Sequence, residues 1–139
     1  MRFSKSQNVD FIDDKFCCQD NDILYFVFYK DEPWIGITIL SSKALKKRKG
    51  FEHLLFSKET VLELRDYFSH PYNKIGYFEC NCTSEILRIV YEDGFFYLDI
   101  FDNYALKLKS GIKTSTSFHE RDVPELKRVL NNMLSKMRM

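Results

Sequence analysis

A short basic motif occurs twice in this chain of 139 residues. Residues 44–50 read ALKKRKG, and 61 residues later residues 105–111 read ALKLKSG. Flanking positions match at nearly the same spacing: Ile23 with Ile86, Leu24 with Leu87 and Val27 with Val90 at 63, and Phe56 with Phe118, Val61 with Val123, Glu63 with Glu125 and Leu64 with Leu126 at 62. Such self-similarity indicates a tandem duplication, and small changes of spacing are typical of insertions in turns. We therefore predict two repeats, at about 9–71 and 72–137.

Each repeat would be only marginally stable alone. A unit of about 65 residues buries a small share of its surface, so we expect both repeats to share one core in a single domain spanning 1–139. No stretch approaches the roughly 20 consecutive apolar residues of a membrane span. Residues 1–5, MRFSK, lack the apolar segment of a secretory signal. The sequence thus predicts a cytoplasmic protein without a membrane partner.

Residue patterns predict four strands in each repeat. Between Trp34 and Leu40, for example, Ile35, Ile37 and Ile39 alternate with smaller residues, which is typical of a half-buried strand. The predicted strands are 9–19, 23–29, 34–40 and 51–56 in the first repeat, and 77–82, 86–91, 95–101 and 112–118 in the second.

Helix signals follow the last strand of each repeat. Ser57 is a typical N-cap for a helix over 58–69. Asp122 and Glu125 have the spacing of a capping pair, with Pro124 in the first turn of the final helix. The expected fold class is α+β, with two tandem β-β-β-β-α units that form antiparallel sheets and pack their helices on one face.

Cysteine and histidine spacings do not indicate a metal site or an enzyme. Cys17 and Cys18 are adjacent and Cys80 and Cys82 are two positions apart, whereas zinc sites usually leave two to four residues between paired cysteines. At an offset of 63 Cys17 matches Cys80, which favours a repeated strand position with reduced thiols. The three histidines lie apart, and the five glycines form no phosphate-binding loop. We expect no metal, no cofactor and no catalytic residue.

The first copy of the basic motif is a dense cluster of positive charge. Five cations occupy seven positions: Lys43, Lys46, Lys47, Arg48 and Lys49. Three lysines recur at the matching place in the second repeat: Lys107, Lys109 and Lys113. A solvated loop is the alternative explanation of such a run. The net charge of +1 argues against a wholly basic nucleic-acid protein but leaves local patches open.

Several short motifs carry a family resemblance. They are the strand segment 98–100 (LDI), a basic linker running into 111–112 (GI), the helical segment 125–127 (ELK), and 48–51 (RKGF) in the first repeat. In this order they resemble the single-stranded DNA binding domain of the positive-cofactor-four transcriptional coactivators. Those proteins are dimers of a β-β-β-β-α unit, and the related Whirly proteins contain two such units per chain. The resemblance therefore implies a fused duplicate.

The resemblance also implies a function, namely binding of single-stranded DNA or RNA by an accessory factor of transcription or replication. Cations beside the glycines would hold phosphates, and aromatic side chains on the strand faces would stack on bases. The candidate phosphate-binding residues are Lys43, Lys46, Lys47, Arg48, Lys49, Lys107, Lys109 and Lys113. The candidate stacking residues are Tyr25, Trp34, Phe95 and Tyr97. A structural role in the core is the alternative for these aromatics.

A second function remains open at the level of sequence. Short chains rich in Lys, Asn, Phe and Tyr, without catalytic motifs, also serve as protein-interaction modules, for example phage or mobile-element inhibitors of a host machine. The balanced net charge suits this alternative equally well. The sequence leaves open which partner is bound and whether the chain forms a homodimer.

Overall fold

The computed structural model of the chain describes residues 11–29, 34–40, 53–69, 75–81, 85–102 and 112–137. The strands and helices of these residues are β1 (Phe11–Cys17), β2 (Ile23–Tyr29), β3 (Trp34–Leu40), β4 (His53–Ser57), α1 (Lys58–Ser69), β5 (Ile75–Glu79), β6 (Glu85–Glu92), β7 (Phe95–Asp102), β8 (Ile112–His119) and α2 (Val123–Lys136). Short 3-10 turns follow β1 at Gln19–Asn21 and β8 at Glu120–Asp122.

Each repeat is a four-stranded antiparallel meander followed by a helix. The strand order is β1-β2-β3-β4 in the first sheet and β5-β6-β7-β8 in the second. Every pair of neighbouring strands is antiparallel. The predicted α+β fold of two tandem β-β-β-β-α units is confirmed.

Strand β5 shows the largest difference from the predicted boundaries. The sequence pattern favoured 77–82, whereas the strand extends from Ile75 to Glu79. The backbone N–H of Cys80 donates a hydrogen bond of 3.0 Å to the carbonyl of Glu85, which connects the end of β5 to the start of β6. This local bond takes Cys80 out of the strand ladder.

A tight turn joins β6 to β7. Glu92 pairs with Phe95, so that only Asp93 and Gly94 lie between the strands. Both have positive φ, 52° for Asp93 and 85° for Gly94. Two consecutive positive values are typical of the type I′ turn, whose twist matches that of the flanking strands.

The two helices begin differently. Ser57 caps α1 as predicted, because its Oγ accepts a hydrogen bond of 3.3 Å from the N–H of Thr60. The predicted capping pair of α2 is wrong, since Asp122 makes no side-chain cap. The Glu125 carboxylate bonds the guanidinium of Arg128 instead, at 2.8 and 3.0 Å. A charged partner one helical turn away competes successfully for this side chain.

The inner faces of both sheets contribute to one hydrophobic core. Phe16 of β1 meets Phe118 of β8 edge to face, with ring centroids 4.9 Å apart. Phe68 of α1 contacts Phe96 of β7 at 5.0 Å and Phe118 at 5.8 Å. The inward residues of β3, Ile35, Ile37 and Ile39, are at most 2% exposed and belong to the same cluster. Neither repeat encloses this core alone.

Each helix contacts at least one strand of the other repeat. Helix α1 contacts β3, β4 and β5, whereas α2 contacts β1 and β2. Gly76 of β5 allows the close approach of α1, because a Cβ atom there would lie 2.8 Å from the Phe78 ring and 3.1 Å from the Tyr67 ring. The helices also touch each other, with Lys127 Nζ donating to Ser69 Oγ at 2.9 Å. The helices therefore hold the two sheets together.

The turn that precedes the second strand of each repeat meets the last strand of the other repeat. In the first sheet, Asn81 makes two hydrogen bonds to the edge of β4. Its backbone N–H donates to the Leu55 carbonyl at 2.8 Å, and its side-chain Oδ1 accepts from the Ser57 N–H at 2.7 Å. In the second sheet, Thr116 of β8 donates from Oγ1 to Asp22 Oδ2 at 2.8 Å. These contacts are reciprocal, as expected for a duplicated unit that pairs with itself.

The strand register corrects one detail of the repeat alignment. Cys17 pairs with Ile23, while the residue that pairs with the equivalent Ile86 is Glu79. Cys80 therefore corresponds to Cys18, whereas the sequence offset of 63 matches Cys80 with Cys17. The shift arises because the turn before β6 is one residue longer than the turn before β2, as the bonds Cys80 N to Glu85 O and Cys18 N to Asp22 O show.

Candidate nucleic-acid interface

Most of the predicted phosphate-binding residues lie outside the described part of the chain. This holds for Lys43, Lys46, Lys47, Arg48, Lys49, Lys107 and Lys109. Lys113 is the second residue of β8, and its backbone position alone is described. The first basic segment joins β3 to β4 and the second joins β7 to β8, so both connect the same pair of strands in their repeats.

The four predicted stacking residues are divided between the two sheets. Each lies on the outer face of its sheet, because its strand neighbours belong to the core. Tyr25 and Trp34 are half-buried on the first sheet, and the Tyr25 hydroxyl donates a hydrogen bond of 2.6 Å to Asp13 Oδ2. Phe95 and Tyr97 lie side by side along β7 of the second sheet, with ring centroids 6.3 Å apart. The structure thus brings together two of the four.

The outer face of the second sheet, which we call the tyrosine face, carries exposed apolar and aromatic side chains. Three large ones are exposed: Ile75 by 53%, Tyr77 by 49% and Tyr97 by 41%. Strand pairing places Tyr77, Arg88, Asp99 and Ser115 in one row across the sheet. The adjacent row contains Ile75, Val90, Tyr97 and Ser117. Among the side chains whose burial the structure describes, no other large hydrophobic one is this exposed.

An ion pair lies between the two exposed tyrosines. Arg88 Nη2 is 2.8 Å from Asp99 Oδ2, on neighbouring strands. The guanidinium carbon of Arg88 also lies 5.2 Å from the centroid of the Phe101 ring. The Nε of Arg88 is buried without a hydrogen-bond partner among the described residues. Asp99 therefore neutralises a cation that lies in the same row as Tyr77.

One end of the tyrosine face is formed by Phe95 and His119. Their rings meet edge to face with centroids 5.0 Å apart. His119 Nδ1 accepts a hydrogen bond of 3.0 Å from the Arg121 N–H and thereby caps the turn that leads into α2. This geometry fixes the ring of His119, and with it the packing of Phe95. The second basic segment leaves the sheet at the opposite end, after Asp102.

A polar cluster at the contact between the repeats is distinct from this face. It contains Cys18, Asp22 and Thr116, with Asp22 and Thr116 buried. Burial raises the pKa of the Cys18 thiol from its ordinary 9.0 to about 12, against the opposing effect of a hydrogen bond with Thr116. In the described part of the chain, no group of His, Cys, Asp or Glu side chains is arranged to hold a metal ion.

Sequence reasoning missed Tyr77 and Arg88 as site candidates. The signal available was the alternation Ile75, Tyr77, Glu79 around the buried Phe78. This alternation shows that Tyr77 and Phe78 point to opposite faces, but it does not show which face is covered.

The described ranges include no helix that is both long and apolar enough to cross a membrane.

Comparison of the sequence with models of known protein families and with curated proteins finds no match to either.

Proposed function

We propose that this protein binds single-stranded DNA or RNA on the tyrosine face. The observation that carries the proposal is the exposure of two tyrosine rings, Tyr77 at 49% and Tyr97 at 41%, on one open sheet surface. Isolated exposed tyrosines are ordinary, whereas two on one face beside Phe95 and Ile75 form a continuous surface.

The spacing of the two tyrosines suits separate bases. Tyr77 lies on β5 and Tyr97 on β7, two strands apart and one row apart. Adjacent strands are about 4.8 Å apart, so the two rings are separated by roughly 10 Å across the sheet. Each base stacked on an aromatic ring contributes on the order of 1–3 kcal/mol, with little dependence on base identity.

We assign the phosphate contacts to the second basic segment. Residues 103–111, with Lys107 and Lys109, connect β7 to β8, and Lys113 follows at the start of β8. A strand on the tyrosine face would have these cations at one end of its path. Neutralising phosphates with lysine releases counterions, which gives affinity that falls steeply with salt.

A fluorescence anisotropy titration with a labelled oligo-dT probe at low and moderate salt tests the proposal. We expect binding at low salt that weakens strongly as salt rises. The double variant K107A/K109A should lose most of this binding. K58A/K136A, which removes the same charge from the ends of the two helices, is the matched control and should bind like the unmodified protein.

A protein-binding module is the second candidate, and two observations favour it. Ile75, which offers no ring for stacking, is the most exposed of the three large hydrophobics. The Arg88 charge on the same face is already paired with Asp99. Absence of oligo-dT binding at low salt would reject the first proposal and leave the tyrosine face as a docking surface for another protein.

A further inference from the structure

The two repeats present different outer faces although their strands correspond. Val27 of β2 pairs with Gly36, whereas the equivalent Val90 of β6 pairs with Tyr97. Gly36 therefore occupies the position of Tyr97. By the same comparison, Lys15, which pairs with Tyr25, occupies the position of Tyr77, which pairs with Arg88. Neither exposed tyrosine has an aromatic counterpart in the first repeat.

The centre of the first sheet's outer face is also buried. Val27 is 3% exposed and Thr38 is 6% exposed, although both point away from the shared core. In contrast, the row of the second sheet that corresponds to the row of Val27 contains Tyr97, which is 41% exposed. A base can stack only on a ring whose face reaches solvent, so the first sheet offers no equivalent platform at its centre.

We infer that the two repeats have divided their roles, so that only the second sheet contacts bases and each chain binds one strand. This inference rests on the proposed function and specifies it. The first repeat then contributes its helix and edge contacts to the fold. A pair of equivalent binding faces, which a duplicated unit would otherwise provide, is not retained.

The charges on the tyrosine face indicate how a strand lies on it. Asp99 is in the same row as Tyr77 and in the row next to Tyr97. A phosphate placed between the tyrosines would approach this carboxylate, and the neighbouring Arg88 cation is already paired with Asp99. Bases therefore cover the centre of the face, and phosphates lie away from Asp99.

Matched pairs of substitutions test the division of roles. Y77L/Y97L removes two aromatic rings from the second sheet and keeps apolar bulk, while Y25L/W34L does the same on the first sheet. We expect the first variant to lose about 5- to 150-fold in affinity for oligo-dT per tyrosine, and the second to stay within about twofold. Y77F/Y97F, which retains both rings, should bind like the unmodified protein and shows that the face still folds.

The single tryptophan gives a readout that needs no substitution. Trp34 lies on the first sheet, so its fluorescence should remain nearly unchanged while anisotropy reports binding, and the titration should saturate at one short oligonucleotide per chain. Strong quenching of Trp34, two strands per chain, or equal losses in both leucine variants would overturn the inference. A protein that binds no oligonucleotide at all would instead reject the proposed function itself.

Discussion

Thr116 in the last strand of the second sheet donates a hydrogen bond of 2.8 Å to the buried carboxylate of Asp22, which precedes β2 of the first sheet. The two residues are 94 positions apart in sequence. Asp22 is only 9% exposed, and Thr116 is 8% exposed. A buried carboxylate is costly unless donors surround it, so this bond ties the stability of the fold to the contact between the repeats.

Replacing Thr116 by valine should therefore destabilise the protein. The substitution keeps the shape of the side chain and removes a donor to Asp22, which we expect to lower the free energy of unfolding by about 1–3 kcal/mol. Urea denaturation measures the change. T114V, on the same face of β8 but only half-buried, is the control and should change stability by less than about 0.5 kcal/mol. Equal effects of the two substitutions would show that the Asp22 bond is not important.

Stability should decrease at alkaline pH. Burial raises the pKa of Cys18 from its ordinary 9.0 to about 12, and burial raises that of Tyr67 from 10.0 to about 12. The unfolded chain therefore loses these protons first. The contribution of the two groups to stability should be constant below about pH 9 and fall between pH 9 and 12 as the unfolded state ionises. Urea midpoints measured from pH 8 upward test this. C18A should flatten the decrease, whereas C17A, at an exposed position, should leave it unchanged.

Thiol reagents should distinguish the adjacent cysteines. Cys17 is exposed, while Cys18 is half-buried with a pKa raised to about 12 by burial. Because the thiolate is the reactive form, iodoacetamide at pH 8 should label Cys17 much faster than Cys18. Tandem mass spectrometry locates the label, and C17S should remove the fast reaction from this pair. Fast labelling of Cys18 in C17S would contradict its buried environment.

Releasing Arg88 from its ion pair should strengthen nucleic-acid binding. D99N removes the carboxylate that lies 2.8 Å from Arg88 Nη2 and leaves the cation available to a phosphate. We expect higher affinity for oligo-dT and a slope of log affinity against log salt that steepens by up to about 0.7, the value of one additional phosphate contact on a single strand. D93N, at the β6–β7 turn of the same sheet, removes a carboxylate away from Arg88 and should leave the slope unchanged. Weaker binding by D99N would assign the ion pair a purely structural role.

Local residue patterns were sufficient to predict much of the fold. The alternation of Ile35, Ile37 and Ile39 predicted β3 at Trp34–Leu40, and the cap at Ser57 predicted α1 at Lys58–Ser69. These features depend on neighbours within a few residues, where propensity and capping are strongest. The capping pair at Asp122 and Glu125 failed because Arg128, one turn further on, offered Glu125 a better partner.

The candidate site was less accessible to such reasoning. Alternation along β5 and β7 separates Tyr77 and Tyr97 from their buried neighbours, but it treats the two faces of each sheet alike. Which face is covered depends on the packing of α1, α2 and the opposite sheet, and these contacts join residues far apart in the chain. For the same reason, the recurring lysines do not show which repeat presents a binding face, whereas among the side chains that the structure describes the exposed tyrosines lie on the second sheet. Strand positions follow from short-range preferences, and the accessible surface follows from long-range packing, which the order of residues along one strand does not specify.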